Sequence, residues 1–144
     1  MIYSDQVRKA CNVLFEAHRD DFDKGGYPYV FHPFYLATQM DDEDSVCVAL
    51  LHDVIEDHGD KYSFEFFKSE GFSENVINAL RLLTHDKAVP YMEYVEKIAR
   101  NPIARKVKIA DLKHNLDESR TGGNKPKKYD TYLQALNLLV KSDS

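Results

Sequence analysis

Four ionisable side chains stand where the neighbouring residues predict a buried segment. His32 ends the segment YPYVFH, His52 and Asp53 follow the apolar run VALL, and Asp111 interrupts KVKIADL. An unpaired buried charge costs on the order of several kcal/mol, so such groups are usually paired or bound to a metal. Each residue alone has a simpler explanation, such as a satisfied core histidine or an aspartate paired with lysine. The combination favours one shared divalent cation.

The chemistry of this donor set predicts the class of metal and its use. Two imidazoles and two carboxylates suit Mn²⁺, Fe²⁺ or Zn²⁺ better than Ca²⁺, which prefers oxygen ligands. Four protein ligands on a six-coordinate ion leave positions for water and substrate, and such a water ionises near neutral pH. Glu56 and Asp57 follow His52 and Asp53 by one helical turn, where they can accept a proton from that water or orient it.

The elements that must position these residues are all expected to be helical. Apolar residues recur with helical periodicity throughout the chain, and no segment alternates convincingly as a strand. The expected fold is therefore all-α, with residues 1–144 as a single compact domain. Serines or acids before the first apolar positions predict helix caps at Ser4 or Asp5, Ser63 and Ser73. Helices are expected over 3–18, 33–40, 43–57, 64–70, 74–84, 90–100, 102–118 and in a last segment to about 141.

Two of these helices, and the break before the last one, carry specific expectations. The helix over 43–57 is apolar nearly all round, which predicts a central, buried element. The segment TGGNKP is expected to break the chain. The last helix is amphipathic, and its predicted inner face consists of Tyr129, Tyr132, Leu133, Leu136 and Val140.

Composition excludes several classes of protein. The chain has 144 residues, 43% of them apolar, and a net charge of −5 with both signs spread along it. These values fit one globular domain and argue against a nucleic-acid partner, which usually requires a basic face. The sequence contains no apolar run long enough to span a membrane and does not begin like a signal peptide. Cys11 and Cys47 occupy apolar helical positions, which favours buried free thiols and a cytoplasmic location.

Three motifs carry a family resemblance. GGYPYVFHP, ALLHDVIED and KIADLKHN resemble, in order and spacing, the motifs of the HD-domain metal-dependent phosphohydrolases. Within that superfamily the chain is similar to the (p)ppGpp hydrolase domain of RelA/SpoT-type proteins and their small stand-alone relatives. The similarity extends from about His18 to Asn115. It implies an all-helical fold, a bound Mn²⁺ and a nucleotide substrate, from which pyrophosphate is removed at the 3′ position to leave GDP or GTP.

The resemblance also implies a role for each matching residue. In the family, one Glu-Asp pair acts on the attacking water, an asparagine contacts the ribose, and a basic residue lies near the substrate. By matching position, the implied ligands are His32, His52, Asp53 and Asp111, the implied catalytic pair is Glu56 and Asp57, and the implied substrate contacts are Lys24 and Asn115.

Two departures from the family pattern concern recognition of the base. The family usually has Arg-Lys where this chain has Asp23-Lys24, and that arginine stacks on guanine, which an aspartate cannot do. The family's ADR triplet is ADL here, with Leu112 in place of arginine. Tyr27 offers a stacking surface instead, although an exposed loop aromatic explains it equally well. For Lys108 and Lys113, possible phosphate contacts, a solvated position is the expectation for each.

Three functions therefore stay open at the level of sequence. The first is hydrolysis of a (p)ppGpp-like alarmone by a metal-activated water. The second is phosphohydrolysis of another nucleotide or phosphorylated metabolite by the same site, favoured by Asp23 and Leu112. The third is a regulatory module that keeps the metal only for stability, which the Glu56-Asp57 pair argues against. The oligomeric state cannot be predicted from these features.

Overall fold

The computed structural model describes residues 1–121, 123, 125 and 127–143. Over these residues the fold is all-α, as predicted, with no strand and one isolated bridge between Phe22 and Pro28. No helix in the described part of the chain is both long and apolar enough to cross a bilayer. The helices are α1 (Asp5–Ala17), α2 (Phe31–Thr38), α3 (Glu43–Leu51), α4 (Val54–His58), α5 (Phe64–Ser69), α6 (Glu74–Leu83), α7 (Tyr91–Ile98), α8 (Pro102–Asn115), a 3-10 turn (Glu118–Thr121) and α9 (Tyr129–Asp143).

The centre of the fold is α3. Every residue from Ser45 to Leu51 is buried, and the helix packs against α1, α2, α6 and α8. The buried polar group in this run, the Ser45 hydroxyl, donates a hydrogen bond to Asp42. The prediction of a central buried helix is confirmed, and α3 is the element against which the site-bearing helices are packed.

The predicted caps form as expected. The side-chain oxygens of Ser4, Ser63 and Ser73 each accept a hydrogen bond from the backbone N–H three residues later. Each bond satisfies one of the N–H groups that a helix start leaves unpaired. The positions at which α1, α5 and α6 begin can therefore be predicted from the local sequence.

The prediction of one continuous helix over 43–57 is wrong. Helix α3 ends at Leu51 and α4 begins at Val54, because Asp53 adopts φ −108° and ψ 0°, between two helical segments. The Asp53 carboxylate accepts a hydrogen bond from the remote Tyr29 hydroxyl. This partner, 24 residues away, is not visible in local periodicity.

Other boundaries and one face also differ from the prediction. Helix α8 ends at Asn115 rather than 118, and the chain continues into the 3-10 turn. On α9 the buried residues are Ala135 and Leu139, whereas Leu133 and Val140, predicted to face inward, are largely exposed. Of the predicted break TGGNKP, positions 122, 124 and 126 lie outside the described residues.

Candidate metal centre and active site

The four predicted ligands lie together although they come from distant parts of the chain. His32 lies in the first turn of α2, His52 and Asp53 form the link between α3 and α4, and Asp111 lies in α8. His32 Nε2 is 2.8 Å from Asp111 Oδ1, and His52 Nε2 is 3.2 Å from Asp53 Oδ2 and 3.6 Å from Asp111 Oδ1. His32, His52 and Asp111 are buried, whereas Asp53 is partly open to solvent.

The two imidazoles are oriented by hydrogen bonds on their outer nitrogens. His52 Nδ1 lies 2.8 Å from the Ala49 carbonyl and donates to it, so Nε2 faces the cluster, buried and without a hydrogen-bond partner among the described residues. His32 Nδ1 lies 2.6 Å from His114 Nδ1. Burial and then the charge of Arg120 lower the pKa of His114 to about 4, so His114 stays neutral and can accept this bond. Such outer bonds are typical of histidines that hold a metal.

The electrostatics of the cluster favour a positive charge at its centre. Burial alone would lower the pKa of His52, but the carboxylates of Asp53 and Asp111 more than offset it and raise that pKa well above its ordinary value. A proton on His52 therefore supplies charge that the two acids attract. A divalent cation would supply it more effectively, and the unpartnered Nε2 and mixed N/O donors fit a transition metal.

Lys108 is half-buried and its ammonium is ion-paired, so the prediction of a solvated position for it is wrong. Its Nζ lies 3.0 Å from Asp111 Oδ2, and its side chain is only 14% exposed beside the rings of Tyr91 and Tyr94. Burial raises the pKa of Asp111, but Lys108 and the histidines lower it well below its ordinary range. Lys108 thus holds the second oxygen of Asp111 and keeps that carboxyl ionised. Lys113 is exposed, as predicted.

The predicted catalytic acids face two different openings. Glu56 lines a cavity of about 380 Å³ beside His52 and Asp53, where its Oε1 accepts a hydrogen bond from the His85 backbone N–H at 2.9 Å. Asp57 lines a separate, shallower opening instead. Burial, followed by the negative charges of Asp53 and Glu56, raises the pKa of Asp57 to about 6. A carboxyl with that pKa can exchange a proton near neutral pH.

A second cavity, of about 290 Å³, lies on the other approach to the cluster. Lys24, Asn115 and Arg120 line it, and Asn115 is shared with the larger cavity. Asn115 Nδ2 donates to Asp111 Oδ1 at 3.0 Å, and Arg120 Nη1 donates to the Asn115 amide oxygen at 3.3 Å. Two of the three predicted substrate contacts therefore border the cluster, whereas Tyr27 is 60% exposed and lines neither cavity.

Asp23 is occupied by its own loop. Its Oδ1 accepts hydrogen bonds from the backbone N–H groups of Gly25 and Tyr27, both at 2.9 Å. This arrangement is an Asx turn, which a short acidic side chain forms readily. The aspartate thus shapes the loop that carries Lys24 and places a carboxylate at the rim of the second cavity.

Sequence reasoning missed several residues that border the cluster. Tyr29 lies three residues before His32, a spacing typical of one helix face. The contact of its hydroxyl with Asp53 depends instead on the loop conformation, which is set by tertiary contacts. Arg120 precedes the segment 121–126 and Tyr132 follows it, and no local pattern predicts that either residue lies at the site. These two residues could be assigned to the site only from the packing of the 3-10 turn and α9 against α8.

Comparison with known proteins supports one family. No model of a known protein family matches the sequence. The chain is 29% identical over 127 residues to a probable GTP pyrophosphokinase of Mycobacterium leprae. It is 26% and 30% identical, over 126 and 116 residues, to guanosine-3′,5′-bis(diphosphate) 3′-pyrophosphohydrolases of Aquifex aeolicus and Haemophilus influenzae. These matches cover 70 to 79% of the chain but only 16 to 18% of the relatives' length.

A solved structure extends the similarity to the whole fold. It is that of a metazoan ortholog of SpoT, described as hydrolysing ppGpp, and it superposes with a TM-score of 0.75 at 26% identity. The superposition covers 99% of this chain and 87% of the solved one. With the His, His-Asp and Asp residues gathered at one centre, the chain is similar in sequence and fold to the hydrolase domain of RelA/SpoT-type proteins, in agreement with the resemblance of its motifs to those of the HD-domain metal-dependent phosphohydrolases.

Proposed function

We propose that residues 1–144 form one HD-type hydrolase domain that removes pyrophosphate from the 3′ position of (p)ppGpp-like alarmones. One observation carries the proposal above the others. His32, His52, Asp53 and Asp111 meet around a buried imidazole nitrogen that has no hydrogen-bond partner among the described residues. That arrangement lies in a fold that matches a protein described as a ppGpp hydrolase.

We propose Mn²⁺ as the resident ion, held by His32, His52, Asp53 and Asp111. The mixed N/O donor set also admits Fe²⁺ and Zn²⁺. When bound, a divalent ion supplies Lewis acidity and lowers the pKa of a coordinated water. Lys108 and Asn115 contribute by holding the Asp111 carboxylate in place, at 3.0 Å each.

The side chains around the centre account for the remaining steps. One water is consumed: its oxygen bonds to the phosphorus of the 3′ group, the bond from that phosphorus to the leaving ribose oxygen breaks, and that oxygen gains a proton. Glu56 and Asp57 accept or orient the proton of the water. In this proposal Lys24 and Arg120 bind the phosphates, and Asn115 contacts the ribose from between the two cavities.

A second candidate substrate is favoured by the rim of the smaller cavity. Asp23 puts a carboxylate, already engaged by two backbone N–H groups, where the resembling family has an arginine that stacks on guanine. A carboxylate lacks the planar cationic face for stacking. The same centre would then act on a nucleotide with another base, or on another phosphorylated metabolite.

The test is a measurement of product release by the purified protein. With Mn²⁺ we expect pyrophosphate and GDP from ppGpp, and loss of this activity in EDTA. The variants Glu56→Gln and Asp57→Asn should keep their Mn²⁺ content and lose at least about 10²-fold in kcat. The exposed Asp60→Asn serves as a matched control and should retain activity. Intact ppGpp together with cleavage of other nucleotides would support the second candidate, and no cleavage of any phosphorylated compound would refute both.

A further inference from the structure

A second cluster of metal-binding side chains lies outside the centre described above. It consists of His18, Asp21 and His58, whose donor atoms all lie within 4.8 Å of one another. Asp21 Oδ2 is 2.8 Å from His18 Nδ1 and 2.6 Å from His58 Nε2. His58 is 37 residues from Asp21 in the chain, and it joins His18 and Asp21 only through tertiary packing.

The fold builds this cluster from three fixed points. His18 is the residue that ends α1 and is 1% exposed, Asp21 lies in the turn that follows, and His58 is the last residue of α4. Asp21 and His58 are 33% and 28% exposed, so the cluster opens to solvent on one side only. A buried ligand with two accessible partners gives an ion both a rigid anchor and an entry path.

The surroundings favour a cation. The opening beside the cluster is lined by Asp20, Asp21 and Asp57 as well as His58 and Tyr29, so carboxylates outnumber the groups that can carry positive charge there. The Nδ1 of the buried His18 ring faces the Asp21 carboxylate and is therefore the His18 atom available to an ion.

We infer that His18, Asp21 and His58 bind a second divalent transition-metal ion, of the zinc class. Two imidazoles and one carboxylate form the three-ligand set that zinc uses when a fourth position is left for water or another ligand. Donors that share one tetrahedral ion lie roughly 3.4 Å apart at bond lengths of about 2.1 Å. The present contacts of 2.8 and 2.6 Å therefore need to open by less than 1 Å to admit the ion.

This second site shares no ligand with the first, but it is adjacent to it. The Tyr29 ring packs against His18 with centroids 4.7 Å apart, while the Tyr29 hydroxyl donates to Asp53. Asp57 lines the same opening as the second cluster. An ion there would place a positive charge near the Asp57 carboxyl, which in the proposed function accepts or orients the proton of the attacking water. That charge would favour the ionised form of Asp57.

Metal stoichiometry tests the inference without reference to catalysis. Protein stripped with EDTA is loaded with Zn²⁺, desalted and analysed by mass spectrometry of the metal. We expect two equivalents per chain in the wild type, and one in His58→Ala and in the near-isosteric Asp21→Asn. The matched control, Asp20→Asn, removes a neighbouring acid that is not a ligand and should keep two. Circular dichroism verifies that each variant is folded.

Several outcomes would overturn the second site. A single equivalent in the wild type that is also retained in His58→Ala does so, because that ion then binds outside the cluster. Two equivalents retained in either His58→Ala or Asp21→Asn would show that the additional ion binds elsewhere. Loss of an equivalent in Asp20→Asn would point to a general acidic surface rather than to the cluster. Failure to hydrolyse ppGpp, in contrast, would leave these counts unaffected.

Discussion

At the scale of single residues, Asp57 shows how its environment prepares a carboxyl for proton exchange. Partial burial and the nearby charges of Asp53 and Glu56 raise its pKa from 3.8 to about 6. The folded state therefore binds the Asp57 proton more tightly than the unfolded chain does. The stability that this proton provides is present below the unfolded pKa and is lost as the pH rises through the folded one.

This linkage predicts a pH-dependent difference between the wild type and Asp57→Asn. In EDTA both proteins should be about equally stable near pH 4, where Asp57 is protonated in the folded state. Above pH about 6 the wild type should be less stable, because it alone carries the ionised carboxyl among other acids. Thermal unfolding followed by circular dichroism measures the difference. Asp60→Asn, which changes an exposed acid nearby, should follow the wild type, and equal stability of wild type and Asp57→Asn at all pH values would contradict the assignment.

Residue chemistry predicted some contacts and not others. His32, His52, Asp53 and Asp111 were identifiable because each interrupts an apolar segment, and such interruptions have few explanations. The pairing of Lys108 with Asp111 follows an i, i+3 spacing on one helix, but burial of that face depends on the tyrosines of α7. The role of His32, His52, Asp53 and Asp111 as metal ligands remains a prediction, which metal analysis of the purified protein addresses.

At the scale of elements, starts of helices were predictable and the interruption of the central helix was not. A cap is a local matter, since the Ser4, Ser63 and Ser73 hydroxyls bond to N–H groups three residues on. The break at His52 and Asp53 has no glycine or proline to signal it. It accompanies contacts with Tyr29 and Asp111, which come from distant segments. Propensity along the chain carries no information about such partners.

Two of the caps should differ in their contribution to stability. Ser63 caps a short helix, and its hydroxyl makes only this bond among the described contacts. The Ser73 hydroxyl also donates to Asp44 Oδ1 at 3.0 Å and so ties α6 to α3. We expect Ser63→Ala to lower the free energy of unfolding by about 1 kcal/mol. Ser73→Ala should lower it by about 0.5–1.5 kcal/mol more.

Urea unfolding measures this difference directly. Ser142→Ala, at an exposed position within α9, removes a hydroxyl whose one bond within the described residues is to the Leu138 carbonyl, and it should change stability little. An equal or larger loss in Ser63→Ala than in Ser73→Ala would show that the link to Asp44 does not contribute.

At the scale of the whole molecule, the candidate centre joins elements that do not follow one another in the chain. His32 belongs to α2, His52 and Asp53 to the link after α3, and Asp111 to α8. An ion held by all of them would cross-link the fold and bind the folded state alone. Ligand linkage then stabilises the protein by about 2.7 kcal/mol at 100 times the dissociation constant. The same cross-link would explain why side chains otherwise costly in a core are gathered there.

We therefore expect Mn²⁺ to raise the melting temperature of the EDTA-stripped protein by roughly 5–10 °C. The measurement is made in the His58→Ala background, so that the His18, Asp21 and His58 cluster does not contribute. Adding Asp53→Ala should abolish the shift, because it removes one ligand and leaves His52 underpaired. Ca²⁺, which prefers oxygen donors, should give a smaller shift than Mn²⁺. An equal Mn²⁺ shift with and without Asp53 would place the ion elsewhere, and the proposed hydrolytic centre would then lose its physical basis.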